Sequence, residues 1–215
     1  LSSAASDVYK RQDLRIGYAG AYELWTIVSQ IRKYHRQHPE AEIEFQLGSN
    51  QSLLSGLAEG QLDMAVLSGF GVELGKGLDS RVTLSDPCMV MISASHPLAA
   101  KKEIHPRELK GMPIVLNRAQ DSQPSAAQIA GMYASMGLGG NPRMYADDFY
   151  GIALIIHAGL AFSIMPASMA DWGISGVVFR PLHGFRAKAR TLLVYPRGRK
   201  ELGVSSFVSL IKPKR

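Results

Sequence analysis

The chain has 215 residues, 46% of them hydrophobic and 20% charged, with 21 glycines and 11 prolines. That is the profile of a globular protein large enough for one sizeable domain or two small lobes, and it excludes collagen-like and low-complexity classes. A single cysteine excludes an internal disulfide framework and any CxxC metal or redox pair, and no apolar run approaches the ~20 residues of a membrane helix.

The first twelve residues carry no hydrophobic periodicity and lack the apolar core of a signal peptide. Ser2 to Gln12, SSAASDVYKRQ, resembles the in-frame translation of a transposon-library sequencing adaptor. Residues 1–12 are therefore expected to be a non-native tail, with the natural coding sequence cut at or just before Asp13. The net charge is +6, of which Asp7, Lys10 and Arg11 supply +1. Most of the rest sits in 31–38 and in the terminal KPKR, where no aromatic interleaving or recognition-helix pattern accompanies it. A solvated helix face and a frayed end are the expected readings, ahead of a nucleic-acid patch.

From Asp13 a strand, Leu14–Ala19, leads to a helix expected over Leu24–Gln37, with Leu24, Ile27, Val28, Ile31 and Tyr34 at helical spacing and Pro39 beyond its end. A second strand alternates Ile43, Phe45 and Leu47 with polar residues, which predicts one buried face. In GSNQSLLSGLAEG, Ser49 or Asn50 caps a helix whose buried stripe is Leu53, Leu54 and Leu57. LDMAVLSG is apolar enough for a strand buried on both faces. This β-α-β-α-β order implies right-handed crossovers and a parallel sheet.

A long extended segment follows, Val82 to Ser93, with the lone Cys88 read as a small core residue. The grammar then repeats. Strand Met112–Leu116 precedes helix Ser125–Met136, strand Pro142–Ala146 precedes helix Phe149–Ala158, and LAFSIMP, GVVFRPL and ARTLLVYP are later strands before a helix near Val204–Ile211. The expected fold class is α/β, two Rossmann-like lobes joined by two crossing strands: 13–92 plus 194–215 as lobe I and 93–193 as lobe II. A cleft between such lobes is where a small ligand is expected.

The stretch from LRIGYAG through RQHPEAEIEFQLGSNQSLLSGLAEGQLDMAVL, then SHPLA, then IIHAGLAFSIMPASM, resembles the effector-binding domain of LysR-type bacterial transcriptional regulators. The resemblance covers Asp13 to Arg215. It implies a type 2 periplasmic-binding-protein-like fold, a small-molecule effector, a cytoplasmic homodimer (a tetramer when full length), and promoter DNA bound only through a winged helix-turn-helix that lies N-terminal in the family. No membrane association is implied.

Candidate effector-binding residues come from the carboxyl ends of the expected parallel strands. In lobe I these are the loop Gly20, Ala21, Tyr22 and Glu23, the helix start Ser49, Asn50 and Gln51, and Ser68. In lobe II they are Asn117, Asp147, Asp148 and Phe149. The helix end at 49–52 favours a carboxylate, and Ser49 and Asn50 add side-chain donors. The family commonly has small hydroxyl residues where this chain has Ala19 to Glu23. Glu23 either selects an amine or hydroxylated ligand or is an exposed residue opening a helix. Glu23 and the Asp pair are expected to repel a purely anionic ligand, while Asp148 reads equally as a helix cap.

No GxSxG, P-loop, HExxH or nucleophile–base pair is present, so no catalytic residue, metal site or cofactor is expected, and the chain is read as no enzyme. GFGVELG has the wrong spacing for a dinucleotide loop. The alternative function of the same fold is a solute-binding protein of a transport system.

Overall fold

The computed structural model describes residues 13–118, 125–198 and 202–211. The adaptor-like residues 1–12 and the KPKR end lie outside the described residues. The chain divides into two units, the first formed by residues up to Ser85 and from Arg190 onward, the second by Asp86–Ala189.

In the first unit, β1 (Leu14–Tyr18) is the middle of a parallel trio, with β2 (Ile43–Leu47) on one side and β3 (Met64–Ser68) on the other. The strand β9 (Lys188–Pro196) joins β3 antiparallel, and β4 (Leu78–Ser93) lies beyond it. Met64 to Leu67 are fully buried, as a central strand covered on both faces requires.

The helix expected over Leu24–Gln37 is two pieces, α1 (Ala21–Trp25) and α2 (Val28–Gln37). The Thr26 hydroxyl donates to the Glu23 carbonyl at 2.7 Å, and Ile27 sits at φ −115°, ψ 5°, outside the helical region. A hydroxyl that bonds its own backbone and a β-branched run of Thr26, Ile27 and Val28 both disfavour a continuous helix there. The rotation buries Ile27 and Tyr34 completely but leaves Val28 exposed, contrary to its place in the expected stripe.

The helix α3 (Asn50–Ala58) buries Leu53 and Leu57 against β1 and β3, with Leu54 half-buried. Gly17 permits this approach: a Cβ there would lie 2.7 Å from a Leu53 methyl and 2.8 Å from one of Leu62. The strand β2 departs from expectation. It is an edge strand: Ile43 packs against the core, but Phe45 and Leu47 on the same face are 45% and 64% exposed. The chain's last helix, α6 (Leu202–Ser209), closes the core of the first unit, with Phe207 against Tyr34 at 5.6 Å between ring centroids.

The second unit repeats a parallel pair, β5 (Ile114–Asn117) with β6 (Arg143–Ala146), extended by a parallel bridge from Ile114 to Phe162. Phe162 leads into β7 (Ser163–Pro166), which pairs antiparallel with the later part of β4, and β8 (Val177–Arg180) pairs with the same stretch. The helices are α4 (Ser125–Ser135) and α5 (Phe149–His157). Cys88 is buried in this unit, and burial pushes its thiol up to about 11, so it is an inert core residue.

Candidate functional site

Two parallel sheet edges carry the candidate residues, one in each unit. In the first unit the register aligns Tyr18 with Leu47 on one side and with Val66 on the other. The bonds Gly48 N to Tyr18 O (3.1 Å) and Ala19 N to Val66 O (3.0 Å) continue the ladder past the strand ends. The loops after β1, β2 and β3 therefore emerge side by side.

Ser49 is the cap of α3. Its Oγ accepts from Ser52 N at 3.1 Å and lies 3.2 Å from Ser52 Oγ as donor, while Ser52 Oγ donates to Ser49 O at 3.0 Å. Asn50 Nδ2 donates to the Ser68 carbonyl at 3.0 Å. Since β1 lies between β2 and β3, this bond carries the Asn50 side chain across the end of β1. The Ser49 hydroxyl and one N–H of the Asn50 amide, both expected as ligand donors, are thus engaged within the protein. Asn50 Oδ1 is buried and has no hydrogen-bond partner among the described residues. Gln51 is exposed, and the N–H groups of Asn50 and Gln51 precede the first intrahelical bond, leaving the positive end of the helix open.

Gly20 starts α1 in an extended conformation, and a Cβ on it would lie 2.9 Å from Glu23 Oε2, so the carboxyl folds back beside the glycine. Ala21 is exposed and Tyr22 buried. Glu23 is buried, which corrects its reading as an exposed helix opener. Burial raises its carboxyl to about 7, opposed by a hydrogen bond from its own backbone. The repulsion expected of Glu23 toward an anion is correspondingly reduced near neutral pH.

Three hydroxyls missed by sequence reasoning lie next to this turn. Thr26 Oγ1 is 2.9 Å from Thr83 Oγ1, which is 2.5 Å from Thr191 Oγ1. They tie α1 to both long strands within the first unit, and only the fold brings positions 26, 83 and 191 together.

In the second unit, Asn117 ends β5 and its Nδ2 donates to the Asp147 carbonyl at 3.3 Å. The adjacent carboxylates are divided between two tasks. Asp147 pairs with Arg118 Nε at 2.9 Å in an exposed ion pair, and Asp148 caps α5 by accepting from Gly151 N at 2.7 Å. The expected joint repulsion by the Asp pair is therefore offset, one charge by a guanidinium and the other by a helix end. Phe149 packs edge-on against Trp172 at 5.2 Å. Among the described residues no group of three His, Cys, Asp or Glu side chains could hold a metal ion. Nor is any described helix long and apolar enough to cross a membrane.

Residues 9–214 match the LysR substrate binding domain. The chain belongs to this family. The LysR domain fold is shared with solved structures: the BenM effector binding domain with its effector benzoate (TM-score 0.76, 18% identity, covering 93% of this chain and 90% of that one). Full-length CbnR complexed with its target DNA has TM-score 0.78 at 16% identity, covering 97% of this chain and 70% of that one. These domains have the type 2 periplasmic-binding-protein-like fold. Among curated relatives, the HTH-type transcriptional regulator YnfL of Escherichia coli is 25% identical over 86% of this chain. The alignment takes in 62% of YnfL, so the LysR domain here spans somewhat under two thirds of that relative.

Proposed function

We propose that this chain is the ligand-sensing part of a cytoplasmic LysR-type bacterial transcriptional regulator, and that its effector is a small carboxylate-bearing molecule. The observation that carries the reading is the built edge of the first unit: an open helix start at Asn50 and Gln51, capped by Ser49 and braced by Asn50 on the end of β3. A carboxylate meets unpaired N–H groups and a helix dipole there, with no catalytic group required. Gly20 to Glu23 and Ser68 border that edge, and Asn117 and Asp147 to Phe149 occupy the corresponding edge of the second unit.

A thermal-shift screen of carboxylate metabolites tests this. Bound effector stabilises by mass action, by about 2.7 kcal/mol at a hundredfold excess over Kd, which raises the melting temperature by several degrees. Replacing Ser49 and Asn50 together by leucine abolishes the shift. Shifts confined to uncharged apolar compounds would show that the helix start has only a structural role.

The proposed assembly is a homodimer through α2 and α4 of opposite partners, two equivalent contacts about a two-fold axis. Support comes from Trp25, Val28, Phe45 and Leu47, which are 39% to 64% exposed on α1, α2 and the edge strand β2. An apolar surface of this kind on a pairing-competent edge strand is a liability in a monomer. Sedimentation at tens of micromolar is expected to give a dimer, and Phe45→Lys with Leu47→Lys a monomer of unchanged circular dichroism. A monomeric wild-type chain overturns the assembly. In the intact regulator, promoter DNA is contacted by the helix-turn-helix domain, not by this one.

A further inference from the structure

Glu23 is a buried carboxyl with no cation set against it among the described residues. It is 9% exposed, and a Cβ on Gly20 would lie 2.9 Å from its Oε2, so the carboxyl lies in the space that a side chain at position 20 would take. The helix α1 packs on β1 and β3. Their flanking charges, Arg15 and Asp63, pair with each other at 2.9 Å at the opposite end of those strands. On the two long strands, Arg81 donates to the carbonyls of Val208 and Ile211, and Arg190 is exposed. Burial and a hydrogen bond from its own N–H therefore set the proton affinity of Glu23, at about 7. Its charged form is better solvated by water than by anything beside it.

The backbone of the same residue is tethered. The Thr26 hydroxyl has one proton and gives it to the Glu23 carbonyl at 2.7 Å, so its oxygen accepts from Thr83 at 2.9 Å, and Thr83 in turn accepts from Thr191 at 2.5 Å. This one-way chain fastens α1 to β4 and β9 within the first unit. The helix is too short to hold alone, five residues followed by the non-helical Ile27. We propose that α1 is a pH-sensitive latch, docked on β4 and β9 through the three threonines while Glu23 is neutral and released as a local unit when Glu23 ionises. Release brings the carboxylate to water by disrupting the hydroxyl chain and the packing of Tyr22 and Leu24, and leaves the core of Leu14, Ile16, Met64 and Val66 closed. The charge is unfavourable only while α1 is docked. Docking is therefore firmest below about pH 4.5, weakens as pH rises toward 7, and levels off above it. Since α1 begins directly after β1, the latch makes the edge proposed for the effector responsive to pH.

The test is native-state hydrogen exchange on the whole chain in low urea at pH 5.5 and pH 8.5, corrected for intrinsic exchange rates, on wild type, Glu23→Gln and Thr26→Val. The reporting amides are those of Leu24, Thr26 and Ile27, whose bonds to the carbonyls of Gly20, Tyr22 and Leu24 span 3.1 to 3.2 Å. In wild type they are expected to open without dependence on urea, and more readily than the amides of β1 and β3. Their opening constant is expected to rise about thirtyfold between the two pH values, as a proton affinity moved from 4.5 to about 7 requires. Glu23→Gln is expected to abolish that rise. Thr26→Val is expected to increase opening at both pH values and to keep their ratio. Circular dichroism checks folding, and if Thr26→Val does not fold, the wild-type and Glu23→Gln series decide alone. If the α1 amides share the urea dependence and protection of β1 and β3, α1 opens only with the whole unit and there is no latch. A rise that persists in Glu23→Gln overturns Glu23 as the trigger, and unchanged opening in a folded Thr26→Val overturns the threonine tether.

Discussion

Glu23→Gln is expected to melt about 5–10 °C above the wild-type chain at pH 8 and to match it near pH 4. The Glu23 carboxyl is buried and its pKa lies at about 7 instead of the ordinary 4.5. Its neutral form is therefore the one the fold prefers. A raised acid pKa means that the native state holds a proton the unfolded chain has already released between those two values. Stability from this group is fully present below about pH 4.5, declines as pH rises toward 7, and levels off above it. The displacement corresponds to about 3 kcal/mol, at 1.36 kcal/mol for each pH unit. Glutamine keeps the shape and cannot ionise, so the pH-dependent loss disappears and the two melting curves separate only above pH 5. For a chain of this length each kcal/mol moves the midpoint by roughly 2–4 °C. Melting series of both proteins from pH 4 to 8 check it. A variant less stable than wild type at pH 8 would mean that the carboxylate is held by an attraction strong enough to reverse the burial penalty.

The burial of Glu23 also shows why part of the site was hidden in the sequence. A glutamate two residues into a short helix reads as solvated, and nothing local to GYAGAYELW says that the turn folds back on Gly20. By contrast, the cap at Ser49 was legible, because a capping hydroxyl and its target N–H lie three residues apart in the same stretch. Asn50 stands between these cases. Its position at the helix start was legible, but its bond to the Ser68 carbonyl joins the ends of two strands that have a third between them. That bond engages one N–H of the amide that the sequence offered as a ligand donor. The Thr26, Thr83 and Thr191 cluster had no sequence signal at all, since each is an ordinary strand or turn residue until the strands pair.

The parallel strands were legible for a physical reason: a strand buried on both faces, such as Met64–Ser68, must be a continuous apolar run. The same logic misread β2. Alternation in Ile43, Phe45 and Leu47 predicts that one face is covered, but does not say by what, and in the single chain Phe45 and Leu47 face outward. The break between α1 and α2 was misread because periodicity counts apolar positions and ignores the Thr26 hydroxyl that competes for the backbone.

The C-terminal helix offers the second large effect, because it belongs to a core that starts almost two hundred residues earlier. Phe207→Ala is expected to destabilise the first unit by about 3–5 kcal/mol. Phe207 is completely buried and meets Tyr34, itself completely buried, in a cluster with Leu14, Ile16, Met64 and Val66. The helix is also tied down at its end, where Arg81 Nη1 donates to the carbonyls of Val208 and Ile211 at 3.3 and 3.1 Å. That attachment prevents collapse into the space left by the ring, so the cavity cost adds to the lost transfer energy. The two tryptophans make the effect readable by unit, since Trp25 lies in the first and Trp172 in the second. With Trp172→Phe as background, the urea midpoint reported by Trp25 should fall by about 1.5–2.5 M for a slope near 2 kcal/mol/M. With Trp25→Phe as background, the midpoint reported by Trp172 should fall less, because Asp86–Ala189 has its own buried set around Val115, Tyr133 and Phe162. Equal falls would mean that the two units unfold as one cooperative body. A Trp25 midpoint that moved by less than about 0.5 M would mean that the helix packs as a peripheral tail, and that the first unit closes its core without it.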